Sequence, residues 1–343
     1  MNSSKKILIV GPAWVGDMVM AQTLFMCLKH RYPDAQIDVL APAWTKPLLE
    51  GMPEISGTID SPFGHGDVRL RERYRLGVAL RERGYDQAIV LQNSYKSALI
   101  PYWANIPQRT GWVGEMRYGL LNDIRRLDKK RLPLMIHRYI ALGLGKGEPL
   151  PIDLPRPQLR ISPAKRTTAL SRLALQEPAA PLLALCPGAE FGPAKQWPAE
   201  YYAEVAKKKL ADGWQVWIFG SSKDKVAADR IESLTEGRAR NLAGVTTLSE
   251  AVDLLSLASG VIANDSGLLH VAAALGRPVI AVYGPTTPSF TPPLSKKAET
   301  AKLDLPCSPC FKRECPYGHQ QCMKSLKPAM ILETMEKMNY VSL

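Results

Sequence analysis

The residues whose types and spacing suggest chemistry fall in a few short stretches. In "VIANDSGLLHVAAALGRPVIAVYGPT" an apolar strand runs into Asp265-Ser266-Gly267, a helix follows, and a second strand returns to the small-residue loop Tyr283-Gly284-Pro285-Thr286. Free backbone N–H groups and the dipole at the start of that helix favour an anion, and a nucleotide diphosphate would fit. Helix capping alone explains Asp265 and Ser266 too, but their place at the end of a central strand favours the anion. His270, one turn in, either touches a phosphate or hydrogen-bonds in the core. The loop "CPGAEFGPAKQWP" holds Gly188 and Lys195 after another apolar strand, where a lysine can neutralise charge on a departing diphosphate. In "FGSSKDK", Ser222 and Asp224 stand where doubly wound sheets contact a ribose or base, and capping explains both equally well.

Three further stretches lie elsewhere. "ILIVGPAWVGDMVM" reads as strand, glycine turn and helix, as a phosphate loop would, yet it has no lysine and Asp17 follows Gly16. "LQNSYKSALIPYWANIPQRTGWVGEMRYGLLND" gathers Asn93, Lys96, Arg109, Trp112, Glu115 and Arg117 on loop-like segments that suit either nucleic acid or a phosphorylated sugar. Near the C-terminus, "CSPCFKRECPYGHQQC" spaces Cys307, Cys310, Cys315 and Cys322 as C-x2-C-x4-C-x6-C, with His319 inside. Four thiolates suit a closed structural zinc site; an iron–sulfur cluster and unligated thiols are the alternatives.

The elements that must position these residues alternate. "KILIV", a helix over about Met18 to Tyr32, "IDVLAP", a short helix over Lys46 to Met52 and "QAIVLQ" form the first series. The second runs "LLALCPG", a helix over Ala199 to Ala211, "WQVWIFG", a helix from Lys225, "NLAG", a helix opened by the capping box Thr247-x-x-Glu250, "GVIAND", a helix over Gly267 to Leu275, and "RPVIAVYGPT". Such alternation predicts parallel sheets covered by helices, with ligands at the carboxyl ends of the strands. The proline-rich stretch 147–181 reads as the connection between domains 1–160 and 161–327.

With 343 residues, 46% of them apolar, two well-packed domains are expected. The apolar run before Gly11 is too short for a signal peptide or membrane span, which predicts a cytoplasmic protein. Lys and Arg exceed Asp and Glu by 44 to 32, a net charge of +12, so an anionic partner is expected. The stretch "RLRERYRLGVALRERGYD" is basic at helical spacing, which suits a solvated helix face, or one leaning on an anionic membrane.

"GPAWVGDMVM", "NSYKSALIPYWANIPQRTGWVGEMRYGLLND", "CPGAEFGPAKQWP" and "NDSGLLHVAAALGRPVIAVYGPT" together resemble the lipopolysaccharide heptosyltransferases of glycosyltransferase family 9, over nearly the whole chain. The resemblance implies a GT-B fold, two Rossmann-like domains facing a central cleft, with a last helix (about Pro328 to Asn339, within 328–343) crossing back to the first domain. It implies an ADP-heptose donor held by Gly188, Lys195, Ser222, Asp224, Asp265, Ser266, Gly267 and His270, with Asp265 on the heptose. The acceptor, the first heptose of the inner core on Kdo2-lipid A, is then expected against Gly16, Asn93, Lys96, Arg109, Trp112 and Arg117. Transfer inverts the anomeric centre and makes an α-1,3 link, with Asp17 as general base and Lys195 and the Ser266 helix stabilising ADP. The resemblance also implies peripheral contact with the inner face of the cytoplasmic membrane and no cofactor for catalysis; a magnesium requirement is not legible.

The alternatives within this fold are a heptosyltransferase acting at another core position and a nucleotide-sugar epimerase. A basic nucleic-acid or membrane-binding protein with a zinc knuckle is the alternative from another class. Dispersed basic residues and the unexplained nucleotide-site loops argue against nucleic acid.

Overall fold

Contiguous apolar runs account for the central strands, because a parallel strand covered on both faces has no side to give to solvent. The structure is a computed structural model that describes residues 4–64 and 66–338. It divides into two units, 1–157 and 158–343, against the expected boundary at 160.

The first unit contains β1 (Lys6–Val10), α1 (Val15–Arg31), β2 (Gln36–Ala41), α2 (Lys46–Glu50), β3 (Gly57–Asp60), α3 (Leu70–Leu80), β4 (Gln87–Val90), α4 (Leu99–Trp103), β5 (Gln108–Trp112), β6 (Asp123–Arg125) and α5 (Met135–Gly143). Its strands form a parallel sheet in the order β3-β2-β1-β4-β5-β6. The pairs Ile7↔Ile37 and Ile9↔Ile89 mark the register at the centre. Helices α1 and α5 pack together, as do α3 and α4. The segment holding Arg109 and Trp112, read as loop-like from the sequence, is strand β5.

The second unit contains α6 (Pro163–Arg172), β7 (Leu182–Cys186), α7 (Ala199–Ala211), β8 (Gln215–Ile218), α8 (Lys225–Leu234), β9 (Arg240–Asn241), α9 (Leu248–Leu255), β10 (Gly260–Asn264), α10 (Gly267–Ala274), β11 (Val279–Val282), β12 (Ala298–Ala301), α11 (Gln321–Lys324) and α12 (Pro328–Lys337). The sheet order, β12-β11-β10-β7-β8-β9, repeats that of the first unit. Each sheet therefore reverses strand order between two central neighbours, β1/β4 and β10/β7, the switch point where such sheets leave a crevice at the carboxyl ends of their strands.

One expectation needs correction. The stretch 147–181 is not all connection, because Pro163 sits at the start of α6 and the Ser162 side chain accepts a hydrogen bond from Lys165 N. Proline is tolerated there since the first helical N–H groups have no partner within the helix. Helix α12, the segment expected to cross to the first domain, packs on α7, β11 and β12, with Ile331 and Met335 in the core of the second unit. Its apolar spacing suits that core; Asn339, included in the expectation, lies outside the described residues.

Candidate active site

The switch point of the second sheet carries a connected set of side chains. Asp265, directly after β10 and only 6% exposed, is its hub. Lys195 Nζ donates to Asp265 Oδ2 at 2.6 Å and to its carbonyl at 3.2 Å, and Thr286 Oγ1 donates to the same Oδ2 at 2.7 Å. Three loops, after β7, β10 and β11, are thereby joined at one carboxylate. With two N–H groups of the ammonium on Asp265, Lys195 keeps one for a ligand oxygen. Beside them α10 begins at Ser266, whose side chain makes no capping bond, so the helix start keeps its donors.

Below this set Asn264, fully buried, fixes the loop that carries Lys195. Its Nδ2 donates to Pro187 O at 2.6 Å, while Oδ1 accepts from Tyr202 OH at 3.0 Å and from Trp197 N at 3.2 Å. Sequence reasoning missed Asn264, Tyr202 and Trp197; the signal was a polar residue ending an otherwise apolar strand, which inside a core requires partners.

His270 is 5% exposed, with Nε2 4.0 Å from Asp265 Oδ1. Burial lowers its pKa to about 4 despite Asp265, with Lys195 acting in the same sense as burial. A neutral ring carries no counter-charge but can still donate one N–H to a phosphate. Asp224 accepts from both N and Oγ of Ser221 at 2.8 Å, and a Cβ on Gly188 would stand 2.6 Å from its carboxylate. Gly188 thus makes room for a capping carboxylate at the start of α8, while Ser222 stays exposed beside it.

In the first unit Asp17 sits half-buried in the first turn of α1, after the turn that leaves β1. The dipole there favours the ionised carboxylate. Gly16 is buried beside it, and Gly11 is held by Gln92 Nε2 donating to its carbonyl at 2.7 Å. A Cβ on Gly11 would lie 3.0 Å from Met18 and Val39, so this glycine serves packing of α1 on the sheet. Asn93 and Lys96 follow β4, on the other side of the β1/β4 switch point, with Asn93 exposed and Lys96 half-buried.

The other expected acceptor contacts are turned inward. Arg117 is fully buried; its Nη1 donates to Gln92 O at 2.6 Å and Nη2 to Trp112 O at 2.5 Å. Burial lowers its pKa to about 10, against Glu115. Arg109 donates to Leu120 O at 2.7 Å and Ile106 O at 2.6 Å, and Trp112 is 7% exposed. Arg117 thereby holds the ends of β4 and β5 together, because backbone carbonyls left inside a fold need donors.

The four cysteines are unpaired thiols around one cavity of about 10 Å3, shared with His319, Ala194 and Pro285. Gln320 N donates to Cys315 Sγ at 3.4 Å, and the N–H groups of Tyr317, Gly318 and His319 also turn toward it and lower its pKa. Among the described residues no three His, Cys, Asp or Glu side chains form a ready metal-ligand group.

Two doubly wound sheets in tandem, each with polar side chains gathered at its switch point, define a protein of the Rossmann-like α/β class. Residues 73–321 match glycosyltransferase family 9 (heptosyltransferase). The chain is similar to lipopolysaccharide heptosyltransferase 2 of Salmonella typhimurium, at 50% identity over 97% of this chain and 98% of the relative. Lipooligosaccharide heptosyltransferase 2 of Haemophilus influenzae is 46% identical over 97% and 99%. The solved structure of E. coli ADP-heptose LPS heptosyltransferase II matches with a TM-score of 0.87 at 47% identity, covering 97% and 98%. The chain belongs to glycosyltransferase family 9. It is a heptosyl-transferring glycosyltransferase of lipopolysaccharide biosynthesis, with the GT-B fold of its structural neighbours.

Proposed function

We propose that this enzyme transfers L-glycero-D-manno-heptose from ADP-heptose to the first heptose of the inner core on Kdo2-lipid A, making an α-1,3 link with inversion. The relatives named heptosyltransferase 2 support the donor and acceptor. The observation that carries the chemistry is the Lys195–Asp265–Thr286 set beside the open start of α10.

Asp17 takes the acceptor hydroxyl proton as that oxygen attacks the anomeric carbon. The bond from that carbon to the β-phosphate oxygen breaks, and ADP leaves with the bonding pair. Negative charge then grows where Lys195 Nζ and the N–H groups at Gly267 lie, which favours the transition state over the bound substrate. Asp265 holds the lysine in place and Thr286 holds Asp265. Of the first unit's polar residues, Asn93 and Lys96 are the acceptor contacts. No step of this reaction needs a cofactor.

The enzyme works on the cytoplasmic side of the inner membrane, touching it peripherally through the α3 face. Among the described residues no helix is long and apolar enough to cross a membrane.

The deciding experiment supplies ADP-heptose with a one-heptose acceptor or a Kdo-only acceptor and determines the product linkage. Transfer only to the one-heptose acceptor, at its 3-position, is expected. Transfer to the Kdo-only acceptor, or a different linkage, would overturn the assignment.

A further inference from the structure

The cysteine segment stands outside the chemistry just described, yet it is built against it. Four thiols from a 16-residue stretch, Cys307, Cys310, Cys315 and Cys322, ring a single cavity of about 10 Å3. That is space for about one water-sized sphere, hence for one ion. The backbone around it is already shaped for thiolate. The chain wraps round Cys315 through Gly318 and Gln320, both at positive φ, which brings Gln320 N to 3.4 Å from Sγ. N–H donors of this kind orient and stabilise a ligating sulfur. Opposite them Gly284 leaves the room that Cys322 occupies, since a Cβ there would lie 3.2 Å from its Sγ and collide with Met323.

The same segment is tied to both loops that hold Asp265. Arg313 O accepts from Ala194 N at 3.0 Å, next to Lys195, and Gly192 packs against the Arg313 backbone. Phe311 N donates to Pro285 O at 2.8 Å and Ser308 Oγ to Gly284 O at 2.6 Å, next to Thr286. Ala194 and Pro285 line the thiol cavity themselves.

We propose that Cys307, Cys310, Cys315 and Cys322 bind one zinc ion as four thiolates, and that this centre clasps the Lys195 and Thr286 loops. Zinc suits four sulfurs in a closed tetrahedral shell, with no position left for substrate. On binding, the ion displaces the thiol protons to solvent, leaving a centre of net charge −2; Lys312 and Arg313 within the segment and Lys324 just after it offset that charge, against Glu314. The thiols ring the cavity without yet converging on its centre.

Elemental analysis of the full-length protein, purified under reducing conditions without added metal, is expected to find about one zinc per chain. Cys310→Ser and Cys315→Ser should each remove most of it. Cobalt exchanged into the wild-type protein should show thiolate-to-cobalt charge-transfer and tetrahedral d–d absorption, which tests the ligand set even where a serine variant fails to fold. A metal-free protein that binds ADP, iron in place of zinc, or cobalt without thiolate bands would overturn the site. The clasp is read separately, by hydrogen exchange at the amides of Ala194 and Lys195 after chelation. Faster exchange there is expected; unchanged protection in zinc-free protein would overturn the clasp. Neither readout depends on heptose transfer, so the site stands or falls apart from the proposed reaction.

Discussion

At the scale of single residues, the same side-chain types serve ligand and fold, and their surroundings decide which. Lys195 and Arg117 are both cations near strand ends, but Lys195 is held by a carboxylate at an open helix start, whereas Arg117 is enclosed by carbonyls. The sequence carries no mark of that difference, because it depends on which backbone groups the loops leave unpaired. Asp17 is the residue on which the proposed chemistry turns. Asp17→Asn keeps the shape but removes the base, so kcat is expected to fall by about 10^3-fold while ADP affinity, measured by calorimetry, stays the same. Unchanged turnover would remove Asp17 from the mechanism. His270 yields a pH prediction. Its pKa in the folded protein is lowered to about 4 from an ordinary 6.5, so the unfolded chain binds the proton more readily. This contribution is complete above the unfolded value and is lost as pH falls from 6.5 toward 4, by up to about 3 kcal/mol. Urea titrations across that range should show a shallower pH dependence for His270→Gln than for the parent protein; equal slopes would refute the buried neutral ring.

At the scale of elements, what was legible is what is buried on both sides. "KILIV", "LLALC" and "GVIAN" are apolar runs broken only at their ends, and they form the central strands β1, β7 and β10. Of the strands that escaped notice, β3 (GTID), β6 (DIR) and β12 (AETA) lie at sheet edges, where one neighbour and partial exposure remove the need for an apolar run, while β5 (QRTGW) is internal but carries polar residues through half its length. Only pairing fixes them, and pairing is not local. The capping box before α9 was legible because its partners are three residues apart: Thr247 N donates to Glu250 Oε2 at 2.8 Å and Glu250 N to Thr247 Oγ1 at 3.3 Å. Thr247→Ala is expected to cost about 1 kcal/mol of stability. The Arg117 clamp joins the ends of β4 and β5 over a longer span and carries a larger penalty. Arg117→Met leaves the Gln92 and Trp112 carbonyls buried without donors, a cost of about 3 kcal/mol by chemical denaturation. A loss below that for Thr247→Ala would show that solvent or a rearranged loop satisfies those carbonyls.

At the scale of the whole molecule, the excess of 12 positive charges is not absorbed by the proposed nucleotide site, where Lys195 is already paired with Asp265. Part of it serves the fold: Arg73 on α3 is 5% exposed, stacks on Phe63 at 3.9 Å and donates to Val68 O at 2.7 Å. The same helix leaves Arg71 and Arg75 exposed. With Leu70, Tyr74 and Trp103 they line a shallow pocket of about 380 Å3, in which Leu70 is 53% and Tyr74 50% exposed. Exposed aromatic and aliphatic groups beside arginines suit a headgroup layer, with apolar parts at the acyl boundary and charges on lipid phosphates. The lipid-linked acceptor proposed above would make such contact useful, because it would keep the enzyme where its substrate is. Each arginine near an anionic surface contributes about 1 kcal/mol, so replacing both with glutamine should lower partitioning onto anionic vesicles by about 30-fold. Raising salt should weaken the parent protein in the same direction, since the attraction is screened over about 8 Å at physiological ionic strength. Uncharged zwitterionic vesicles should bind both proteins weakly and equally. Vesicle co-sedimentation in which the double variant Arg71→Gln/Arg75→Gln binds anionic vesicles as well as the parent would move the membrane contact away from α3, and full transfer to a soluble, delipidated acceptor by that variant would show that its catalytic site is intact.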